Sequence, residues 1–338
     1  MHALRKARAR ARLQSARWHE LCSGQRRRRR LASWRLSCKH MALKHIRIPL
    51  CAPCVLLIWP EVALAHTAVE AASARDAGVS AVDAFGALLL ALVAVAYGVG
   101  QWRLAQRARV RRKRFPACFW TGWVTLAFAL GPPLDAWSSV SFAAHMAQHE
   151  LMMLVAAPLL VVARPLGTLV WGLPNSVGAL LTSRALRRIG GWLAVPIVAW
   201  ILHAAVLWGW HVPSAFEAGL HSVTVHWLQH ASFFGAAVIY WWSVFSSSAG
   251  AERKGLALVS VFTTAIHTAV LGMLLTFSTR VWYPTYARTQ NAWGLTAVED
   301  QQLGGLIMWV PGGTVFIVAA LAVAALWLKQ SELRTARG

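Results

Sequence analysis

The sequence has little charge and few acidic residues, and both shortages narrow the class of protein. Only 14% of the 338 residues are charged and 57% are hydrophobic, which is too apolar for an ordinary soluble domain. The chain has 12 Asp and Glu residues against 34 Lys and Arg residues, a formal net charge of +22. The basic residues concentrate in the first 40 positions and in short runs between apolar segments, a membrane-protein pattern. We therefore expect membrane lipid, and no nucleic acid, as a partner.

Cysteines are also scarce, and their positions disfavour thiol chemistry. Cys22 and Cys38 lie in the basic first 40 residues, and Cys51 and Cys54 form a C-x-x-C inside a short apolar run. No strand–helix pattern surrounds that pair, as a redox motif would require. Only Cys118 lies further along the chain, so a cysteine-based metal site is not expected.

Known catalytic signatures are missing as well. The sequence has no G-x-S-x-G, no phosphate-binding P-loop and no Rossmann glycine pattern, and these are the signatures of common nucleophilic and nucleotide chemistry. It also has no convincing internal repeat of the kind found in inverted-repeat transporters. We predict that the protein is not an enzyme.

The N-terminal region divides into two predicted segments. Residues 1–40 form an arginine-rich tail, and Met41 offers a second translation start after it. Residues 41–65 have a basic start, a short apolar run and an A-x-A sequence ending at Ala65, which is typical of a secretory signal peptide. We predict cleavage after Ala65; the alternatives are an uncleaved anchor or a basic tail.

The remaining chain, residues 80–330, predicts an all-α integral membrane bundle in one domain. A spanning helix needs about 20 mainly apolar residues. About seven segments qualify, at 83–102, 115–134, 141–163, 191–211, 224–245, 256–277 and 303–328. Lys and Arg cluster in alternate loops and at the C-terminal end. By the positive-inside rule, the N-terminus is outside and the C-terminus is cytoplasmic.

Histidines gather at the outer ends of these predicted spans. His145 and His149, and likewise His226 and His230, are spaced i, i+4, so each pair lies on one face of a helix. Paired imidazoles on facing helices suit copper, zinc or haem iron, and Met146 adds a thioether that favours Cu(I). The alternative is that each histidine only forms a hydrogen bond across a helix interface.

Other polar and aromatic residues carry weaker signals. His211 ends the fourth span on the outside, and His203 and His267 lie near mid-membrane, where they could bond each other or extend a ligand path inward. Asp300 begins a string of polar and small residues that predicts close helix packing. Asp300 itself suits either a ligand-binding site or a helix cap. The aromatic residues at span ends predict interfacial belts; they include Tyr240, Trp241, Trp242, Trp282, Tyr283 and Tyr286.

Several motifs together resemble the multi-span cytochrome c oxidase assembly family known as CtaG of the Bacillus type. They spread over residues 80–330, and the two histidine pairs and the string 300–311 are the specific ones. The matching pieces are HMAQH (145–149) with APLL (157–160), WHVP (210–213), HWLQHASFF (226–234) with YWW (240–242), LGMLLTF (271–277), YPTY (283–286) and DQQLGGLIMWVP (300–311). The sequence departs from the family pattern at Gln229, where an acidic residue is expected.

This resemblance implies a multi-pass protein of the bacterial inner membrane that assists cytochrome c oxidase assembly. The resemblance also implies that the protein supplies copper to the oxidase, with oxidase subunits and periplasmic copper chaperones as partners. On this basis we predict an outward-facing copper site whose ligands are His145, His149, His226 and His230. His211, Met146 and Asp300 are second choices, and His203 and His267 are inner candidates. The alternatives are a b-type membrane cytochrome that binds haem and a copper permease.

Overall fold

The computed structural model describes residues 81–107, 116–245, 251–289 and 293–335, and all regular structure in these ranges is helical. The predicted all-α fold class is therefore confirmed for this part of the chain. The arginine-rich tail (1–40) and the signal-like segment (41–65), including Cys51 and Cys54, lie outside the described residues. Both N-terminal assignments stay predictions.

The described residues form fourteen α-helices and one π-helical turn. In chain order the α-helices are α1 (Ala81–Arg107), α2 (Pro116–Leu130), α3 (Leu134–Ser138), α4 (Phe142–Glu150), α5 (Ala157–Ala163), α6 (Leu166–Gly172), α7 (Asn175–Leu181), α8 (Arg184–Leu193), α9 (Pro196–His211), α10 (Pro213–His221), α11 (Val223–Phe245), α12 (Ala251–Thr276), α13 (Pro284–Ala287) and α14 (Ala297–Thr335). The π-helical turn, Leu151–Ala156, joins α4 to α5.

Helices occupy all seven segments predicted to span the membrane, but they differ in length and apolarity. Four of the described helices are long and apolar enough to cross it: Val82–Gln106, Phe142–Ala163, Gly255–Thr276 and Ala297–Ala325. A fifth span results if α8 and α9, which are bent by 75° to each other, count together. Helix α2 has only 15 residues, and α11 has 23 residues, among them polar ones that lower its hydropathy. The chain is thus a multi-pass membrane protein, while seven spans stay a prediction.

The third predicted span changes its winding directly after the first histidine pair. Helix α4 ends at Glu150, the π-helical turn follows, and α5 begins at Ala157. Pro158 is in the first turn of α5. Proline has no N–H, and its ring would clash with the carbonyl four residues earlier in a regular α-helix. The wider turn relieves that clash, and such turns often accompany functional sites.

Helices α12 and α14 approach each other closely enough for their backbones to touch. A Cβ atom on Gly305 would lie 2.6 Å from the carbonyl oxygen of Gly272, and one on Gly272 would lie 2.9 Å from the carbonyl oxygen of Gly305. Since real Cβ atoms do not come that close, both positions require glycine. The close helix packing predicted from the Gly304-Gly305 pair is confirmed.

The start of α14 fixes the outer ends of its neighbours. Asp300 is buried, and its carboxylate accepts hydrogen bonds from the Ser141 hydroxyl (2.7 Å) and the Phe142 N–H (2.6 Å). The Gln301 side chain accepts from the Trp282 N–H (2.7 Å) and donates to the Arg280 carbonyl (3.0 Å). Asp300 therefore caps the N-terminus of α4, and Gln301 holds the loop before α13 against α14.

Some aromatic residues that predicted interfacial belts are buried inside the protein. Tyr283 and Tyr286 have exposed fractions of only 1% and 5%, and Tyr240 and Trp241 are buried as well. The Tyr283 ring stacks on Phe142, and its hydroxyl donates to the His211 carbonyl (3.0 Å). The belt interpretation is wrong for these four residues. Tyr283 and Tyr286 belong to the outer loop, which folds back over the helix ends. Tyr240 and Trp241 instead pack from α11 against neighbouring helices, at Phe316 and the Met153 carbonyl.

Candidate metal centre

Helices α4 and α11 bring the two histidine pairs together. His145 and His149 project from α4, and His226 and His230 project from α11. The ring centroids of His149 and His230 are 5.2 Å apart, and those of His145 and His226 are 5.4 Å apart. Sequence spacing placed each pair on one helix face, and the structure shows that the two faces meet.

Three of the four histidines form a compact buried group. Among the described residues, His145, His149 and His230 each offer one ligand atom, and these atoms lie within 4.8 Å of one another. The Nε2 atoms of His145 and His149 are 3.1 Å apart. A tetrahedral ion with nitrogen ligands at 2.0–2.1 Å holds neighbouring nitrogens about 3.3 Å apart. Small inward movements would therefore bring the three imidazoles onto one ion.

A tyrosine from the outer loop orients the His145 ring. The Tyr286 hydroxyl lies 2.9 Å from His145 Nδ1 and donates its hydrogen bond to the Ser138 carbonyl (2.8 Å). Burial raises the pKa of Tyr286 well above its usual value, so the hydroxyl keeps its proton. Because that single proton points to Ser138, the hydroxyl accepts from an N–H at Nδ1. This leaves the lone pair of His145 on Nε2, facing His149, which suits a metal ligand.

Unpaired buried nitrogens are a second feature of the group that favours a bound cation. His149 Nδ1 and His230 Nε2 are buried and have no hydrogen-bond partner among the described residues. A buried polar atom without a partner costs about 1–3 kcal/mol, and a bound ion would remove part of that cost. Three imidazoles suit copper and zinc. Three ligands with an open fourth position are typical of a site that exchanges or reacts.

His226 is the most exposed of the four histidines and has a carboxylate partner. Its Nε2 lies 3.7 Å from Asp135 Oδ1, and its side chain is 21% exposed, against 49% for Asp135. Gln148 donates to the same Asp135 oxygen (3.1 Å) and to the Ala129 carbonyl (2.7 Å), which fixes α2 and α3 to α4. Burial raises the pKa of Asp135, but hydrogen bonds from His226 and Gln148 outweigh that effect and lower it overall. Asp135 is therefore a carboxylate at neutral pH.

The second-choice ligands have other roles or lie beside the group. Asp300 caps α4, as described above. Met146 is fully buried in the hydrophobic core and lies close to Gly304 of α14. His211 Nδ1 donates to the Leu207 carbonyl of its own helix (2.7 Å), while its buried Nε2 has no partner among the described residues. His211 therefore keeps one nitrogen that could bind a metal ion.

The inner histidines form a separate pair. The ring centroids of His203 and His267 are 6.1 Å apart, with Trp200 next to His267 and Tyr240 next to His203. His203 lies eight residues before His211 on α9, which corresponds to about 12 Å along the helix. The inner pair is therefore not part of the outer group.

Sequence analysis missed three residues around the centre. Asp135 follows the Pro132-Pro133 turn and stood in no recognised motif, and Gln148 appeared only as a spacer between histidines. Tyr286 was assigned to an aromatic belt. Gln148 and Tyr286 lie in pieces that carry the family resemblance, whereas Asp135 lies in none. Their roles depend on which loops fold over the helix ends, and no periodicity encodes that.

Fold and site together define a class: a multi-pass helical membrane protein with a buried trihistidine group near one end of its bundle. Residues 95–330, more than half of the chain, match the family described as cytochrome c oxidase caa3 assembly factor, and the chain belongs to that family. The family resemblance seen in the sequence is thus confirmed.

Two similar proteins come from mycobacteria. An uncharacterised protein of Mycobacterium bovis is 23% identical over 251 residues, which are 71% of this chain and 38% of that protein. An uncharacterised protein of Mycobacterium tuberculosis matches with the same figures. The chain thus spans well under half the length of these relatives. No solved structure matches the chain.

Proposed function

We propose that this protein is an inner-membrane assembly factor that supports copper insertion into cytochrome c oxidase, through an outward-facing histidine cluster. The observation that carries the proposal is the trihistidine group of α4 and α11, with ligand atoms within 4.8 Å of one another. Family membership supplies the oxidase connection. Copper is the cargo, because haem–copper oxidases need it and imidazole ligands accept it.

The location of basic residues supports an outward-facing cluster. The histidine pairs lie near the starts of α4 and α11, beside the start of α14 and the end of α9. The opposite end of the bundle carries Arg164, Arg184, Arg187 and Arg188, between the third and fourth predicted spans. Basic loops mark the cytoplasmic side, so the histidine end faces outward. Periplasmic copper chaperones and oxidase subunits could meet the site there.

A chromosomal deletion with complementation tests this function. We expect a deletion strain to lose most of its assembled copper centres and oxidase activity, and the wild-type protein to restore both. His149→Gln and His230→Gln should fail to restore them, while His221→Gln should succeed, because His221 is an exposed outer-loop histidine outside the group. Added copper should partly rescue the deletion strain. Full copper centres with either cluster variant, at equal protein levels, would refute the proposal.

Copper permease activity is a second candidate, since the inner pair offers nitrogens at mid-depth. His203 Nδ1 and both nitrogens of His267 are buried without hydrogen-bond partners among the described residues. Against this, the buried Leu207 lies between His203 and His211 on α9 and offers no ligand atom. Copper uptake by proteoliposomes distinguishes the two functions.

A b-type cytochrome gains no support from the arrangement. Haem between two histidines takes one ligand from each side of its plane, whereas His145 and His149 face each other at 3.1 Å on the same helix. An absorption spectrum of the purified protein tests this alternative, because bis-histidine haem has a sharp reduced band.

A further inference from the structure

A large cavity adjoins the metal centre. It has a volume of about 920 Å³ and lies between α1, α2, α3 and α11. His226 and His230 line it, together with Asp135, but His145 and His149 do not. A path from the cavity to the trihistidine group therefore passes His226 or His230.

Exposure decreases along this path. The Asp135 side chain is 49% exposed and the His226 side chain 21%, while His230 and His149 are 3% and 4% exposed and His145 is fully buried. The ring centroid of His226 lies 4.2 Å from that of His230 and 5.4 Å from that of His145, and the centroids of His145 and His230 are 6.1 Å apart. Neighbouring imidazoles are thus close enough to exchange an ion without large backbone movement.

We infer that Asp135 and His226 form an entry site, which takes the metal ion from the cavity and passes it to the trihistidine group. This inference rests on the proposed function, because it assumes that the group binds copper. His226 is then a transfer ligand, and His145, His149 and His230 are the ligands that retain the ion.

The geometry of the pair suits a transient ligand set. His226 Nε2 and Asp135 Oδ1 are 3.7 Å apart. An ion at 2.0–2.2 Å from both atoms would hold them between about 3.3 Å at a tetrahedral angle and about 4.2 Å in a line. The observed separation lies within that interval, so an ion can bind both atoms with little rearrangement.

The different ligand atoms of the entry site and the trihistidine group predict the direction of transfer. The entry site offers one imidazole and one hard carboxylate oxygen, and the buried group offers three imidazoles. Carboxylates suit hard cations, whereas Cu(I) prefers softer donors. Copper should therefore bind weakly at the entry site and more tightly in the group. Gln148 supports this order, since its hydrogen bond to Asp135 holds the carboxylate beside His226.

Uptake kinetics separate entry from retention. Cu(I), kept reduced with ascorbate, is added to the metal-free full chain in nanodiscs, and both the uptake rate and the final copper content are measured. We expect His226→Gln and Asp135→Asn to slow uptake by about 10-fold, as loss of a focused charge or first ligand does. Their final copper content should equal that of the wild type, whereas His149→Gln should retain little copper.

A variant without any change in ligand atoms provides an independent test. Ala91 lines the cavity from α1 and carries no donor atom, so Ala91→Trp should obstruct the cavity and slow uptake with unchanged copper content. The matched control is Leu92→Trp, because Leu92 lies on the same helix, is exposed and does not line the cavity.

The outcomes distinguish this inference from the function on which it rests. If His226→Gln lowers the final copper content as His149→Gln does, His226 is a retaining ligand and the entry site is refuted. Unchanged uptake rates in His226→Gln, Asp135→Asn and Ala91→Trp would refute the route through the cavity. A wild-type protein that binds no copper would instead refute the proposed function itself.

Discussion

The outer and inner histidines differ in the residues that support them. Around the outer group, Tyr286 orients His145, and Asp135 pairs with His226. The inner pair, His203 and His267, lies among aromatic rings, and three of its four nitrogens have no hydrogen-bond partner among the described residues. Burial of histidine is common to both regions. What distinguishes the outer one is a third histidine and polar partners that orient His145 and His226, of the kind that metal ligands generally have.

The largest expected effect is loss of copper from the outer group alone. His149→Gln and His230→Gln each remove one of three converging nitrogens, so copper affinity should fall by more than about 100-fold, beyond the effect of losing an outer-shell partner. His203→Gln and His267→Gln should leave it unchanged. Competition with a Cu(I) chelator measures the affinity, and His221→Gln is the matched outer control. Equal loss from the inner variants would make the two regions one site.

A smaller effect is expected from the residue that orients His145. Tyr286→Phe removes the hydrogen-bond acceptor for His145 Nδ1 but keeps the ring, so copper affinity should fall by about 10–100-fold. Tyr283→Phe is the matched control, because its hydroxyl bonds to the His211 carbonyl instead. The same chelator competition applies. Identical affinities for both variants would show that ring orientation does not depend on Tyr286.

Substitution of Asp300 should affect stability and leave metal binding unchanged. Asp300→Asn weakens charged hydrogen bonds to Ser141 and Phe142, and each such bond contributes about 1.5–3 kcal/mol. The thermal midpoint should therefore fall, while copper affinity of the folded protein stays constant. Glu299→Gln is the control, since Glu299 is exposed and bonds to Thr296 at the same helix start. Copper loss at an unchanged midpoint would instead make Asp300 a ligand.

The sequence predicts the helices and the histidine faces well because both depend on periodicity. Spacing of i, i+4 places His145 with His149 and His226 with His230 whatever the tertiary structure. Apolar length alone predicts most of the helices that the structure contains. The small residues at Gly304-Gly305 correctly predicted a close approach of helices, since only glycine permits backbone contact there.

Features that depend on how loops fold back could not be predicted in this way. The belt interpretation failed for Tyr286 because aromatic residues near a span end suit both lipid contact and burial under a loop. Asp135 lies in the five-residue helix α3, which has too few turns for a periodic signal. Asp300 left two interpretations open until its partners on α4 were known. The roles of all three residues depend on long-range contacts, which no local sequence pattern encodes.

The smallest expected effect concerns transport across the membrane. His203 lies about 12 Å from His211 along α9, and Leu207, between them on that helix, is buried and offers no ligand atom. Because this side chain cannot bind an ion, we expect the wild-type protein and His203→Gln to show the same low copper uptake into proteoliposomes. We expect the same uptake with His267→Gln, and protein-free liposomes give the baseline. Wild-type uptake well above that baseline, lost in both inner variants, would make the inner pair part of a permeation path and favour the permease function.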